Sequence, residues 1–114
     1  MKKRILIVDD EPDIAQTISD FLNKHNFQTE TLYTGRGTVS RARNKNYDLL
    51  ILDIAMPGLN GFEVARALPK QKILFITAYD FKKEDALKFK NCVGFLPKPF
   101  DLDKLLKLVK RNAK

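Results

Sequence analysis

Three short apolar runs constrain this chain more than anything else in it: "ILIV" at 5–8, "LLIL" at 49–52 and "ILFI" at 73–76. A strand with one wet face alternates apolar and polar side chains. These runs do not alternate, as expected of strands covered on both faces, which is the habit of a parallel sheet between two layers of helices. The first strand is expected over 4–8, the third over 48–53 and the fourth over 72–77. "FQTETL" (27–32) and "VGFL" (93–96) read as the second and fifth strands, and their polarity or brevity suits sheet edges.

The stretches between the strands have helical character. Residues 12–25 place Ile14, Ile18, Phe21 and Leu22 at helical spacing, and Pro12 suits the first turn, where an N–H would lack a partner anyway. A basic helix is expected over about 36–46, a short one over 61–68 ended by Pro69, and a weak one over about 82–90. The last, over 101–112, carries Leu102, Leu105, Leu106 and Val109 on one face. Strand and helix thus alternate five times. Such alternation predicts an α/β, doubly wound (βα)5 fold with a five-stranded parallel sheet in the order 2-1-3-4-5. The length of 114 residues suits one domain, taken as residues 1–114.

Ligands of such sheets sit beyond the carboxyl ends of the strands, where the strand order reverses. Strand one ends at Asp9 and Asp10, strand three at Asp53 and strand four at Thr77, while Lys98 follows strand five. Three carboxylates in one cleft repel each other and need a cation. All-oxygen donors favour a hard ion, Mg²⁺ before Ca²⁺, with coordination left over for water and phosphate oxygens. Mg²⁺ and Lys98 would supply charge neutralisation, Thr77 a hydrogen bond, and Asp53 a nucleophile able to hold an acyl phosphate. Taken singly, each residue has a plainer role: acids at a helix N-terminus, a β-branched strand residue, a surface lysine, and turn residues Pro57 and Gly58. Only their convergence on one rim points to chemistry.

The motifs "ILIVDDEPD" (5–13), "LLILDIAMPGLNG" (49–61), "ITA" (76–78) and "FLPKPF" (95–100) resemble the receiver domain of two-component response regulators, the CheY-like family, over essentially the whole chain. The resemblance implies that Asp53 is the phosphoacceptor and that Asp10 ligates Mg²⁺ directly, with Asp9 acting through water. It implies a further ligand in the backbone carbonyl of Ala55, phosphoryl contacts from Thr77 and Lys98, and a switch aromatic at Phe95. It also implies a cis bond at Lys98–Pro99, which X–Pro bonds tolerate at low cost. The phosphoryl donor is then a sensor histidine kinase or histidine phosphotransfer protein. The output is a change in the surface of the fourth helix, fifth strand and fifth helix, read by a downstream protein partner. Receivers are not enzymes beyond weak self-phosphorylation and autodephosphorylation.

The chain departs from the family pattern in places. Phe95 lacks the hydroxyl of the common tyrosine, leaving a softer or purely steric coupling. Ala55 and Tyr79 stand two residues past Asp53 and Thr77, and bulky Tyr79 is expected to shield the acyl phosphate and prolong its life. "LPKQK" makes a short connection into strand four, and Pro97 is expected to stiffen the loop beside Lys98.

Other classes fit less well. A haloacid-dehalogenase-type phosphatase needs an acid where Ala55 stands, and a flavodoxin-type loop would not present "DDEPD" to a phosphate. The formal net charge is +7, and residues 81–114 hold ten Lys or Arg against four acids, so most of the excess lies in the last third. No nucleic-acid motif accompanies that charge, so a nucleic-acid role for this domain is not expected. The basic face reads instead as a solvated surface or a dock for an acidic protein. A degenerate receiver that binds proteins without phosphorylation is the alternative in function. No apolar run approaches a membrane span, and the basic start lacks the apolar segment of an export signal. One cysteine, Cys92, cannot form an internal disulfide and reads as a packing residue. The expected location is the cytoplasm.

Overall fold

The computed structural model describes residues 2–78 and 81–114. The elements, in chain order, are β1 (Arg4–Val8), α1 (Pro12–Lys24), β2 (Gln28–Leu32), α2 (Gly35–Asn44), β3 (Leu49–Asp53), α3 (Gly61–Ala67), β4 (Ile73–Thr77), α4 (Lys83–Leu87), β5 (Cys92–Pro97) and α5 (Leu102–Asn112). All neighbouring strands pair parallel, in the expected order β2-β1-β3-β4-β5.

The unbroken apolar runs have a simple cause. Successive strand side chains point to opposite faces, and here both faces are cores. Ile5, Ile7, Leu49, Ile51, Leu74 and Ile76 pack under α1 and α5, with Ile18, Leu22, Leu105 and Val109. The residues between them, Leu6, Val8, Leu50, Leu52, Ile73 and Phe75, pack under α2, α3 and α4, with Val39, Val64 and Ala86.

The starts of α1, α2, α3 and α5 each have a local device, whereas Lys82 before α4 forms no side-chain cap. Pro12 opens α1, and Asp9 Oδ1 accepts from the Glu11 amide at 2.9 Å. Thr34 caps α2. Asn60 and Glu63 form a reciprocal capping box on α3. Asp101 caps α5.

The largest departure from expectation is α4, which ends at Leu87 instead of continuing to about 90. Phe89 leaves the helical path. Its amide bonds to Ala86 in a tight turn, and its ring stacks on Phe62 at 5.3 Å between centroids and meets Phe75 at 5.9 Å. Asn91 then donates to the carbonyls of Ala65 and Leu68, which closes the C-terminal end of α3. Burial of Phe89 and capping of α3 outweigh the one or two further hydrogen bonds that a longer α4 would make. Strand β5 is longer than "VGFL", with its register shifted opposite Ile73 and Leu74, and Pro97 is its last residue rather than part of a following loop. A proline is tolerated there because β5 is an edge. Cys92 is half-buried against the second core, its thiol on the Gly94 carbonyl, in keeping with a packing role.

Candidate functional site

The register of the central strands sets the rim. Val8 pairs with Leu52, so the next residues, Asp9 and Asp53, emerge side by side. Asp53 pairs with Ile76, which puts Thr77 one residue further out, level with Pro97 of β5. Lys98 follows, and its amide donates to the Thr77 carbonyl at 2.7 Å, tying the ends of β4 and β5 together. The Lys98–Pro99 bond is cis, as the resemblance implied.

The side chains converge. Lys98 Nζ lies 2.6 Å from Asp9 Oδ2 and 3.4 Å from Asp53 Oδ2, so its short, charge-assisted bond goes to Asp9. Asp53 Oδ1 accepts from the Ala55 amide at 3.2 Å. Asp9, Asp10 and Asp53 each offer a carboxylate oxygen within 4.8 Å of the others. Asp9 and Asp53 are buried, while Asp10 is exposed beside an open cleft of about 420 Å³ lined by Ala55, Met56, Pro57, Asn60 and Phe81. The cluster thus has a buried floor and an open side.

This setting opposes the charge on Asp53. Burial and then the Asp9 carboxylate push its pKa up to about 6, against the pull of Lys98 and the Ala55 N–H. Burial also works against the Lys98 ammonium, but the Asp9 hydrogen bond and the charges of Asp53 and Asp9 outweigh it and raise its pKa. Three hard carboxylate donors, one of them with a raised pKa, suit a small divalent cation. By donor chemistry the residues present fit Mg²⁺.

Phe95 is half-buried and pairs in register with Phe75, packing on the same core. Strand alternation places Thr77 and Phe95 on that same face of the sheet, two register positions apart. Tyr79, expected to shield the site, lies outside the described residues.

Nothing in the sequence alone assigns a role to Gly61. A Cβ there would fall 2.7 Å from the Asp53 carbonyl oxygen and 2.7 Å from Ile54 Cα, and its amide donates to Ile54 at 2.8 Å. Gly61 therefore lets the start of α3 close against the backbone that carries Asp53. "PGLNG" signals only a turn; the close approach depends on tertiary packing. Gly61→Ala is expected to cost about 1–3 kcal/mol in chemical unfolding, as overpacking against backbone does. It is also expected to weaken Mg²⁺ affinity.

A family model for the response regulator receiver domain matches residues 5–110. The chain belongs to the response regulator receiver family. The receiver is 34% identical over 108 residues to the response regulator ArlR of Staphylococcus aureus; the match takes in 90% of this chain and 49% of that protein. It therefore spans about half the length of the curated relatives it matches. Among solved structures it is similar to response regulator TrrA of Thermotoga maritima, in complex with Mg²⁺-BeF (37% identity, TM-score 0.87, 96% of this chain and 97% of that one). It is similar also to a chemotaxis response regulator of Vibrio cholerae (31% identity, TM-score 0.88, 97% and 98% of the two chains). The receiver thus has the CheY-like fold and belongs to two-component signalling, in which response regulators work with histidine kinases. No helix among its described residues is long and apolar enough to cross a membrane.

Proposed function

We propose that this receiver takes a phosphoryl group onto Asp53 from a histidine kinase or histidine phosphotransfer protein, in the presence of Mg²⁺. The observation that carries the reading is the position of Asp53: at the end of a buried central strand, within 4.8 Å of two further carboxylates and 3.4 Å from an ammonium. In the transfer, an Asp53 carboxylate oxygen forms the new O–P bond as the P–N bond of the phosphohistidine breaks and the imidazole keeps that electron pair. Asp9, Asp10, Asp53 and the Ala55 carbonyl would hold Mg²⁺, whose charge balances the phosphoryl oxygens. Lys98 and Thr77 are assigned to those oxygens.

The shared face of Thr77 and Phe95 supports a switch between two states. Thr77 moves toward the phosphoryl group and Phe95 turns into the space it leaves, reshaping the α4–β5–α5 surface for a downstream protein in the cytoplasm. Phosphorylation shifts this equilibrium only as far as it favours one state over the other. The domain is a phosphoryl acceptor with slow turnover of its own phosphoryl group, not an enzyme in the usual sense.

Intact-protein mass after incubation with acetyl phosphate and Mg²⁺ checks the reading. The expected result is a single added phosphoryl group, absent with EDTA and absent in Asp53→Asn. An adduct that persists in Asp53→Asn would refute the assignment of Asp53. Complete inertness toward both acetyl phosphate and a phosphorylated histidine phosphotransfer protein would favour a phosphorylation-independent binding module.

A further inference from the structure

We propose that the outer face of α2 is a second docking surface, shaped for an acidic helix of a partner protein. Residues 33–47 contain four Arg or Lys and no acid. Two of these cations are already engaged: Glu30 of the edge strand β2 binds Arg41 and Lys45, along with the Tyr47 hydroxyl. The other two, Arg36 and Arg43, form no ion pair among the described residues. They flank an open groove of about 390 Å³ that is also lined by Val39, Ser40, Asn44 and Leu59.

The geometry selects the partner. Arg36 and Arg43 are seven residues apart, so they share one helix face about 10 Å apart. A helix lying along α2 with two carboxylates at the same spacing meets both, and an apolar side chain between them reaches Val39 and Leu59. A nucleic-acid backbone would find only two free cations here, over an apolar floor. Leu59 also ties the groove to the loop after Asp53, because α2 begins hard against it. A Cβ on Gly35 would fall 2.3 Å from the Leu59 carbonyl oxygen. The proposal rests on the α2 surface and stands whether or not Asp53 is phosphorylated.

The test uses the intact chain and a fluorescein-labelled helical peptide with two glutamates seven residues apart and a leucine midway. A scrambled peptide of equal composition and a short DNA duplex serve as comparisons. Fluorescence anisotropy should show saturable binding of the patterned peptide, weakening with salt. Arg36→Glu combined with Arg43→Glu should weaken it about tenfold or more with the melting temperature unchanged. Ser40→Trp, which fills the groove and keeps both arginines, should weaken it comparably. Lys104→Glu with Lys107→Glu on α5 should not. Equal binding of the scrambled peptide, loss through the α5 variant instead, absence of saturable binding, or tighter binding of the duplex would each overturn the proposal.

Discussion

Lys98→Ala is expected to lower the unfolding free energy of the metal-free protein by about 3 kcal/mol at neutral pH, the scale for removing one partner of a buried ion pair. For a domain of this size that is a fall in melting temperature of roughly 10 °C. The cause is charge balance. Asp9 is fully buried, Asp53 nearly so, and Lys98 is the ammonium that reaches both. Without it, two carboxylates share a low-dielectric rim and repel each other. Calorimetry with and without Mg²⁺ checks this. The cation should restore much of the loss, and its affinity should exceed that of the wild type because Lys98 no longer competes for Asp9. A Lys98→Ala protein as stable as wild type would show that water already screens the cluster.

Asp53→Asn should act in the opposite direction. The folded pKa of about 6 lies above the ordinary value of 3.8. A raised carboxylate pKa means that folding favours the protonated form. Its contribution is fully present below about pH 4 and is lost as pH rises through about 6. Above pH 7 the wild type carries the whole cost of an ionised Asp53. A rise from 3.8 to about 6 corresponds to about 3 kcal/mol. Asparagine removes the charge at nearly the same shape, so Asp53→Asn should stabilise the metal-free protein by about 2–3 kcal/mol at pH 7.5 and have little effect near pH 4. Mg²⁺ should narrow the difference by stabilising the wild type more. Urea unfolding across that pH range reads the effect. A gain that is independent of pH would mean that packing, not charge, causes it.

The scaffold of the site could be read from the chain because its physics is local. Continuous apolar runs had to be doubly covered strands, and the residue after each run had to reach the rim. Asp9, Asp53 and Thr77 stand where that logic put them. The pairing of Lys98 with Asp9 spans 89 positions, and only its place after the last strand hinted at it. The end of α4 was not legible, since aromatic contacts among Phe62, Phe75 and Phe89 from three different parts of the chain decide it. Nor were the tight approaches at Gly35 and Gly61, because a glycine in a turn motif looks the same whether or not a neighbour presses on it. The groove on α2 belongs to the same class: the arginine spacing is visible in the sequence, but Leu59 beside it is not.

The central claim is that Asp53 itself becomes the acyl phosphate. The most direct measurement is borohydride reduction of the protein after incubation with acetyl phosphate and Mg²⁺, followed by mass mapping of its peptides. Reduction converts a phosphorylated aspartate to homoserine and leaves free aspartate alone. Homoserine at position 53 and at no other aspartate is the predicted result. Homoserine at position 9 or 10 with an unchanged Asp53 would contradict the account.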